Sequence, residues 1–428
     1  MSPAERSLVR VGVALTLVLG AACSGSGSAA GTTGSATATT STTTSATTAT
    51  TSTTTATTTT TSAATTAGSP TSAAAAARLP DPVTRVLRVM TLEQRVGQLF
   101  MVGGAATGTP RSTRSAVTDL HVGSVMLTGR SSAGIAATAR VSARVRALAT
   151  RSATAGVPLF VATDQEGGAV RVLRGSGFST SPSALVQGGW SAATLRSRAA
   201  GWGRELRAAG VDVNLAPVAD TVPSRSAARS NAPIGRFGRQ YGFTSDVVTT
   251  HAVAFSQGMA QAGVVATAKH FPGLGRVTGN TDVTAGVTDR TTTRRDPLLA
   301  PFAAAIRART PFVMMSTAYY SRIDPARPAV FSPVVIDGML RRDLGFTGVV
   351  ISDDLGSARQ VARWSPGDRA VAFVRAGGDL VLTVDPATLP AMYRAVLARA
   401  RTDAIFRARV EVSVRRVLTA KHDAGLLG

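Results

Sequence analysis

Beyond Pro80, apolar positions fall in short near-continuous runs separated by longer Ala- and Arg-rich segments. Eight runs read as buried strands: 96–103, 122–128, 158–164, 211–217, 264–269, 311–316, 348–353 and 378–384. Unbroken Val/Ile/Leu/Met/Phe runs of this length suit parallel strands covered on both faces. Segments such as 191–209, 245–262, 297–309 and 332–342 carry helical character between them. Strand and helix alternating about eight times predicts fold class α/β, a (β/α)8 TIM-like barrel over residues 80–428. An open doubly wound sheet is the alternative.

The leading part has a different character. Residues 24 to 78 are almost entirely Thr, Ser, Ala and Gly, with no aromatic residue and no charge before Arg78. Such a stretch lacks the apolar area to offset its ordering entropy, so a disordered tether is expected over 23–79. Ahead of it, Arg6 and Arg10 precede the apolar stretch Val11 to Leu19, then Gly20-Ala21-Ala22 and the sole cysteine, Cys23. This is a secretory layout, too short for a spanning helix, and it predicts a signal peptide over 1–22. It resembles a bacterial lipoprotein signal, which implies lipidation of Cys23 and anchoring on the outer face of the cytoplasmic membrane. Leu19 lies four residues before the cysteine, where such signals usually place Leu three before. An ordinary secreted protein with a free thiol is the alternative. One cysteine excludes an intrachain disulfide and a cysteine metal cluster.

Charge changes the picture little. There are 46 basic and 24 acidic side chains, a net charge of +22. Only Lys269 and Lys421 are lysines, so the bias is toward arginine. No basic run, zinc-ligand spacing or interleaved aromatic stripe points to nucleic acid, and none is expected as a partner. An Arg-rich solvated surface suffices, with anionic envelope polymers or lipid headgroups as the partners if the charge has a use.

Polar residues cluster at the ends of the third, fifth and seventh runs: Asp164-Gln165-Glu166-Gly167-Gly168, Lys269-His270-Phe271-Pro272-Gly273-Leu274-Gly275, and Ser352-Asp353-Asp354. Carboxyl ends of barrel strands carry barrel active sites. Of the adjacent carboxylates Asp353 and Asp354, alternation lets one face the pocket while the other turns to the wall or caps a helix, and parity does not choose. A lysine surviving at 269 in so Arg-biased a chain points to a requirement for a compact ammonium. His270 beside it is either a ligand-binding or a core histidine. Asp164 before two glycines can accept from two sugar hydroxyls, and no phosphate-loop or dinucleotide pattern competes.

Five segments in order resemble glycoside hydrolase family 3, in particular its single-domain bacterial β-N-acetylglucosaminidases: Asp164 to Gly168, Val213 to Val218, Ile234-Gly235-Arg236-Phe237-Gly238, Lys269 to Gly275, and Gly348 to Leu355. The resemblance implies a (β/α)8 barrel and a two-step retaining mechanism with Asp353 as nucleophile. It also implies that Asp164, Arg236, Lys269 and His270 hold the hydroxyls of the attacked sugar, with no metal and no cofactor. The implied substrate is carbohydrate, cell-wall fragments containing N-acetylglucosamine.

The chain departs from that family where the acid/base is expected. The family's Asp-Ser-His is Asn280-Thr281-Asp282 here, the turn histidine is Leu274, and the arginine after Glu-Gly-Gly is Ala169. Asp282 is then the candidate acid/base, since a carboxylic acid can do this work; a local Asx-turn is its other reading. Retaining geometry would set the two carboxyls about 5–5.5 Å apart with the loop closed. The expected function is exo-acting β-N-acetylglucosaminidase. A glycoside phosphorylase or transglycosylase, a β-glucosidase, and a non-catalytic sugar-binding lipoprotein stay open.

Overall fold

A computed structural model describes residues 81–427. The expected signal segment, tether and Cys23 lie outside the described residues.

Eight parallel strands form one sheet: β1 Phe100–Ala105, β2 Ser124–Thr128, β3 Phe160–Thr163, β4 Val213–Asn214, β5 Val265–Phe271, β6 Phe312–Met315, β7 Val349–Ser352 and β8 Val381–Thr383. Their spatial order is β7-β6-β5-β4-β3-β2-β1-β8, and a parallel bridge between Ile351 and Leu380 joins the two ends. The sheet is therefore a closed barrel, as the alternation of runs predicts, and the open sheet is excluded.

The lumen is packed with side chains. Met101, Phe160, Val213, Val265, Phe312, Met314 and Ile351 form one buried cluster, distinct from the outer core between strands and helices. Phe160 and Phe312 meet edge to face at 5.8 Å, a favoured aromatic geometry. The carboxy-terminal helix Ala404–Asp423 adds Val417 to this cluster and so closes the amino-terminal end of the barrel. It also delivers Lys421, fully buried, whose ammonium donates at 2.8 Å each to Gln98 Oε1, Gly123 O and Pro158 O.

The run 96–103 differs from expectation. Thr91 and Gln94 form a reciprocal capping box, so Leu92–Gln98 is helical and β1 begins only at Phe100. Val96 is buried in that helix. A short apolar run cannot tell a buried helix turn from a strand, and the cap decides it. Segment 332–342 is helical as expected, but as a π-helix over Val334–Asp343. The 297–309 segment opens as a 3-10 turn, Pro297–Leu299, before the α-helix Ala300–Arg307.

Two excursions rise from the carboxyl ends of the strands. Gln165–Gly167 pairs with Val170–Arg171. Thr288–Asp289, Tyr319–Tyr320 and Asp324–Pro328 make a small three-stranded sheet.

Candidate active site

At the end of β3 the chain must turn while its backbone stays satisfied. Gln165 N donates to Asn214 Oδ1 and Asn214 Nδ2 returns to Gln165 O, both at 3.0 Å. Gly167 stands at φ +113°, and an added Cβ there would collide with the carbonyl of Pro182. With this turn fixed, Asp164 and Glu166 both reach Lys269 Nζ at 2.7 Å. Glu166 is buried and also takes a forked pair from Arg239, Nε to Oε2 at 2.9 Å and Nη2 to Oε1 at 2.7 Å. Burial alone would raise its pKa, but Arg239 and then Lys269 bring it down to about 2. Burial likewise opposes the charge on Lys269, and Asp164 and Glu166 more than restore it, leaving its pKa raised. The cluster holds two cations and two anions, the balance that makes buried charge tolerable.

β5 supplies Lys269 and His270 in succession. The Lys269–His270 and Phe271–Pro272 peptides are cis. His270 Nδ1 meets Asp220 Oδ2 at 2.7 Å, and Asp220 Oδ1 accepts from His270 N at 3.2 Å and from Leu274 N at 2.7 Å. Asp220 is fully buried. It follows β4 in the stretch Leu215 to Asp220, whose Ala219 N donates to Lys269 O at 2.7 Å.

The two carboxylates after β7 separate cleanly. Asp354 Oδ1 accepts from Gly356 N at 2.8 Å and Val384 N at 2.9 Å, and Oδ2 accepts from Ser357 N at 3.1 Å. It ties its own loop to the end of β8. Among the described residues the Asp353 carboxylate accepts only from the adjacent Asp354 N, at 2.9 Å, while its backbone N donates to Met315 O at 3.2 Å. Burial pushes the pKa of Asp353 up to about 6, His270 pulls against this, Asp282 adds to it, and Lys269 pulls down more weakly. These influences place Asp353 within electrostatic reach of Lys269 and His270 on β5 and of the loop carboxylate. Burial also raises Asp354, despite its three backbone bonds.

Asp282 is exposed on the loop after β5. Asn280 Oδ1 accepts from Asp282 N at 3.0 Å, the Asx-turn considered above. The loop is pinned to the segment after β7 by Arg359 N to Asp282 O at 2.9 Å and Gln360 N to Thr281 O at 3.0 Å. The Asp282 carboxylate itself accepts no hydrogen bond and forms no ion pair with the described residues, while its charge is felt by both Asp353 and Asp354. The turn and a chemical role for Asp282 are therefore compatible, because the turn uses its backbone N–H.

The structure thus brings together Asp164, Lys269, His270 and Asp353, with Asp282 at the rim. It does not bring Arg236 to them. That side chain is exposed, and its Nε donates to Arg229 O at 3.1 Å on the surface. The guanidinium beside Lys269 belongs to Arg239, three residues on. Gly235-Arg236 and Gly238-Arg239 repeat the same dipeptide, and the short 3-10 turn Gly235–Phe237 decides which arginine points inward. Glu166, Asp220 and Arg239 are the members that sequence reasoning missed. Leu274 is buried, with its N–H on Asp220, so the replaced turn histidine has become a packing position.

A closed parallel barrel that gathers anions, an ammonium and an imidazole at the carboxyl ends of its strands is a barrel enzyme, with donors and acceptors suited to a polyhydroxylated ligand. Residues 91–420 match the Glycosyl hydrolase family 3 N terminal domain, and the chain belongs to that family. It is 34% identical over 309 residues to a beta-hexosaminidase of Stenotrophomonas maltophilia (strain K279a), covering 70% of this chain and 88% of that protein. Among solved structures it is similar to a beta-N-acetylhexosaminidase from Beutenbergia cavernae DSM 12333, with TM-score 0.77 and 53% identity, covering 78% of this chain and 99% of that one. It is also similar to a family 3 beta-N-acetylglucosaminidase from Paenibacillus sp. str. FPU-7, with TM-score 0.71 and 33% identity, over 79% of this chain and 63% of that one. The chain is an O-glycosyl hydrolase of β-N-acetylhexosaminidase-like type.

Proposed function

We propose that the protein is a retaining β-N-acetylglucosaminidase acting on cell-wall-derived sugars, exported and anchored through Cys23, with Asp353 as its nucleophile. The observation that carries the catalytic reading is the division of labour after β7. Asp354 is engaged by three backbone amides, whereas the Asp353 carboxylate accepts only from Asp354 N among the described residues and lies within electrostatic reach of Lys269 and His270.

In the first step an Asp353 oxygen bonds to the anomeric carbon while the bond from that carbon to the leaving oxygen breaks. Asp282 donates its proton to the departing oxygen. Water then attacks the glycosyl-enzyme, Asp282 takes the water's proton, and Asp353 is released as a carboxylate. Asp164, Lys269 and His270 hold ring hydroxyls, and Arg239 takes the position expected of Arg236 by fixing Glu166 against Lys269. The oxocarbenium-like transition state sits above an anion that is partly desolvated, where charge stabilisation is stronger than in water.

The test is the stereochemistry of the first product. Proton NMR of aryl N-acetyl-β-glucosaminide hydrolysis shows the β-hemiacetal before mutarotation if the mechanism is retaining. An initial α-hemiacetal refutes it. Aryl β-glucoside run in parallel reports whether the acetamido group is required, and added phosphate reports a phosphorylase by the appearance of sugar 1-phosphate.

A further inference from the structure

Opposite the active site, the amino-terminal face of the barrel carries a cleft of about 1270 Å³. Its walls are the helix Pro82–Val89, the carboxy-terminal helix Ala404–Asp423 and the turns leading into β5, β6 and β7. Five guanidiniums line it, those of Arg88, Arg95, Arg309, Arg415 and Arg416, against the carboxylates of Glu411 and Asp423. Arg95 is paired with Glu411, and Arg416 with buried Asp379. Arg415 donates to the Thr84 hydroxyl at 3.1 Å and lies within electrostatic reach of Asp81. Arg88 and Arg309 are exposed, and their guanidiniums have no hydrogen-bond or ion-pair partner among the described residues.

Arg309 also has an uncommon backbone, being one of three non-glycine residues at positive φ among the described residues, with His121 and Ala155. The turns into β4, β5, β7 and β8 each pass through a left-handed glycine after the helix: Gly210 at φ +76°, Gly263 at +72°, Gly345 at +68° and Gly377 at +109°. The equivalent turn into β6 places Arg309 there, at φ +60°. Glycine is the usual residue at that position because a Cβ is disfavoured. An arginine held there, exposed and unpaired, aims its charge at whatever faces the cleft. Beside these cations stand apolar tips, Val89 at 70% and Val412 at 45% exposure.

We propose that this face docks onto an anionic lipid surface, with Arg88, Arg309 and Arg415 taking headgroup phosphates and Val89 and Val412 reaching the acyl boundary. Guanidiniums interleaved with exposed apolar side chains match a layer of phosphates over hydrocarbon, whereas a soluble polyanion gains nothing from the valines. Docking this way turns the barrel mouth, with Asp353, toward solvent and soluble substrate.

The test uses the full chain carrying Cys23→Ala, so that no acyl chain contributes. Sedimentation with vesicles of phosphatidylglycerol and phosphatidylcholine should show salt-sensitive partition that vesicles of phosphatidylcholine alone do not support. Arg88→Gln with Arg309→Gly and Arg415→Gln should lower the partition coefficient on the order of a hundredfold. Arg309→Gly alone should lower it roughly fivefold with the melting temperature unchanged or raised. A control losing the same charge from flanking helices, Arg140→Gln with Arg196→Gln and Arg204→Gln, should stay close to the parent. Equal losses in the two triple variants would overturn the proposal, as would absence of partition by the parent. Binding to soluble polyphosphate as tight as to vesicles would overturn the lipid assignment. Hydrolysis of a soluble aryl glycoside should be the same in every variant.

Discussion

Asp220 and His270 are joined twice, Oδ2 to the ring Nδ1 at 2.7 Å and Oδ1 to the backbone N at 3.2 Å. A carboxylate can only accept here, so the ring proton on Nδ1 is fixed and Nε2 is the atom left to face the sugar. The same carboxylate holds Leu274 N at 2.7 Å and so ties the Pro-Gly turn to the histidine. Asp220 is a positioning residue. Asp220→Asn turns one acceptor into a donor against these N–H groups and misplaces the imidazole. Turnover should fall on the order of a hundredfold, with the ring displaced in a crystal structure of the variant. An unchanged kcat with a risen KM would mean that the histidine needs no such fixing.

The two neighbouring arginines give opposite expectations. Arg239→Ala leaves Glu166 buried against a single cation, a change of about 3–5 kcal/mol for a broken buried pair, and it loosens Lys269. Arg236→Ala removes an exposed side chain and should cost less than about 0.5 kcal/mol. Urea unfolding and kcat/KM measured on both variants check this, and equal losses would place Arg236 back in the site.

Asp282 carries the proton-transfer prediction. Asp282→Ala should slow poor leaving groups roughly 10²–10⁴-fold and activated aryl groups far less, because a good leaving group needs little protonation. Equal slowing of both would show that Asp282 does not donate the proton. The Asx-turn survives the substitution because it uses the backbone of residue 282 and the side chain of Asn280, so a folding defect is not expected.

The raised carboxylate of Asp353 sets two pH dependences. A nucleophile must be ionised, so kcat/KM should fall on the acid side below about pH 6. The stability effect has the opposite sense. A folded pKa of about 6 against a reference value of 3.8 favours the neutral acid in the folded state. That contribution is complete below 3.8 and is lost as pH rises through about 6. Asp353→Asn removes the ionised form, so it should stabilise the protein by roughly 1–3 kcal/mol at neutral pH and much less at acid pH. Differential scanning calorimetry on both sides of pH 6 checks it.

Much of this was legible because the lumen of a closed parallel barrel demands unbroken apolar runs. Every expected strand overlaps an observed one, the clearest cases being Val349–Ser352 and Phe312–Met315. Where the reading slipped, a local device outranked the pattern, as the Thr91/Gln94 box did at Val96. Lysine scarcity was informative for Lys269; at Lys421, which no sequence argument singled out, three acceptors match the three N–H bonds of an ammonium. Glu166 and Asp220 were missed because each acts through another side chain, and such contacts span distances in sequence that no spacing reveals. Arg236 and Arg239 occupy equivalent places in a repeated Gly-Arg dipeptide, so only the backbone turn could tell them apart.

The central claim is a covalent bond between Asp353 and the anomeric carbon. Incubation with a mechanism-based fluorinated N-acetylglucosaminide, followed by intact-mass and peptide mass spectrometry, tests it directly. One sugar equivalent retained on the peptide that contains Asp353, and lost in Asp353→Asn, is the predicted result. Turnover of the reagent with no adduct, or an adduct on another peptide, would contradict it.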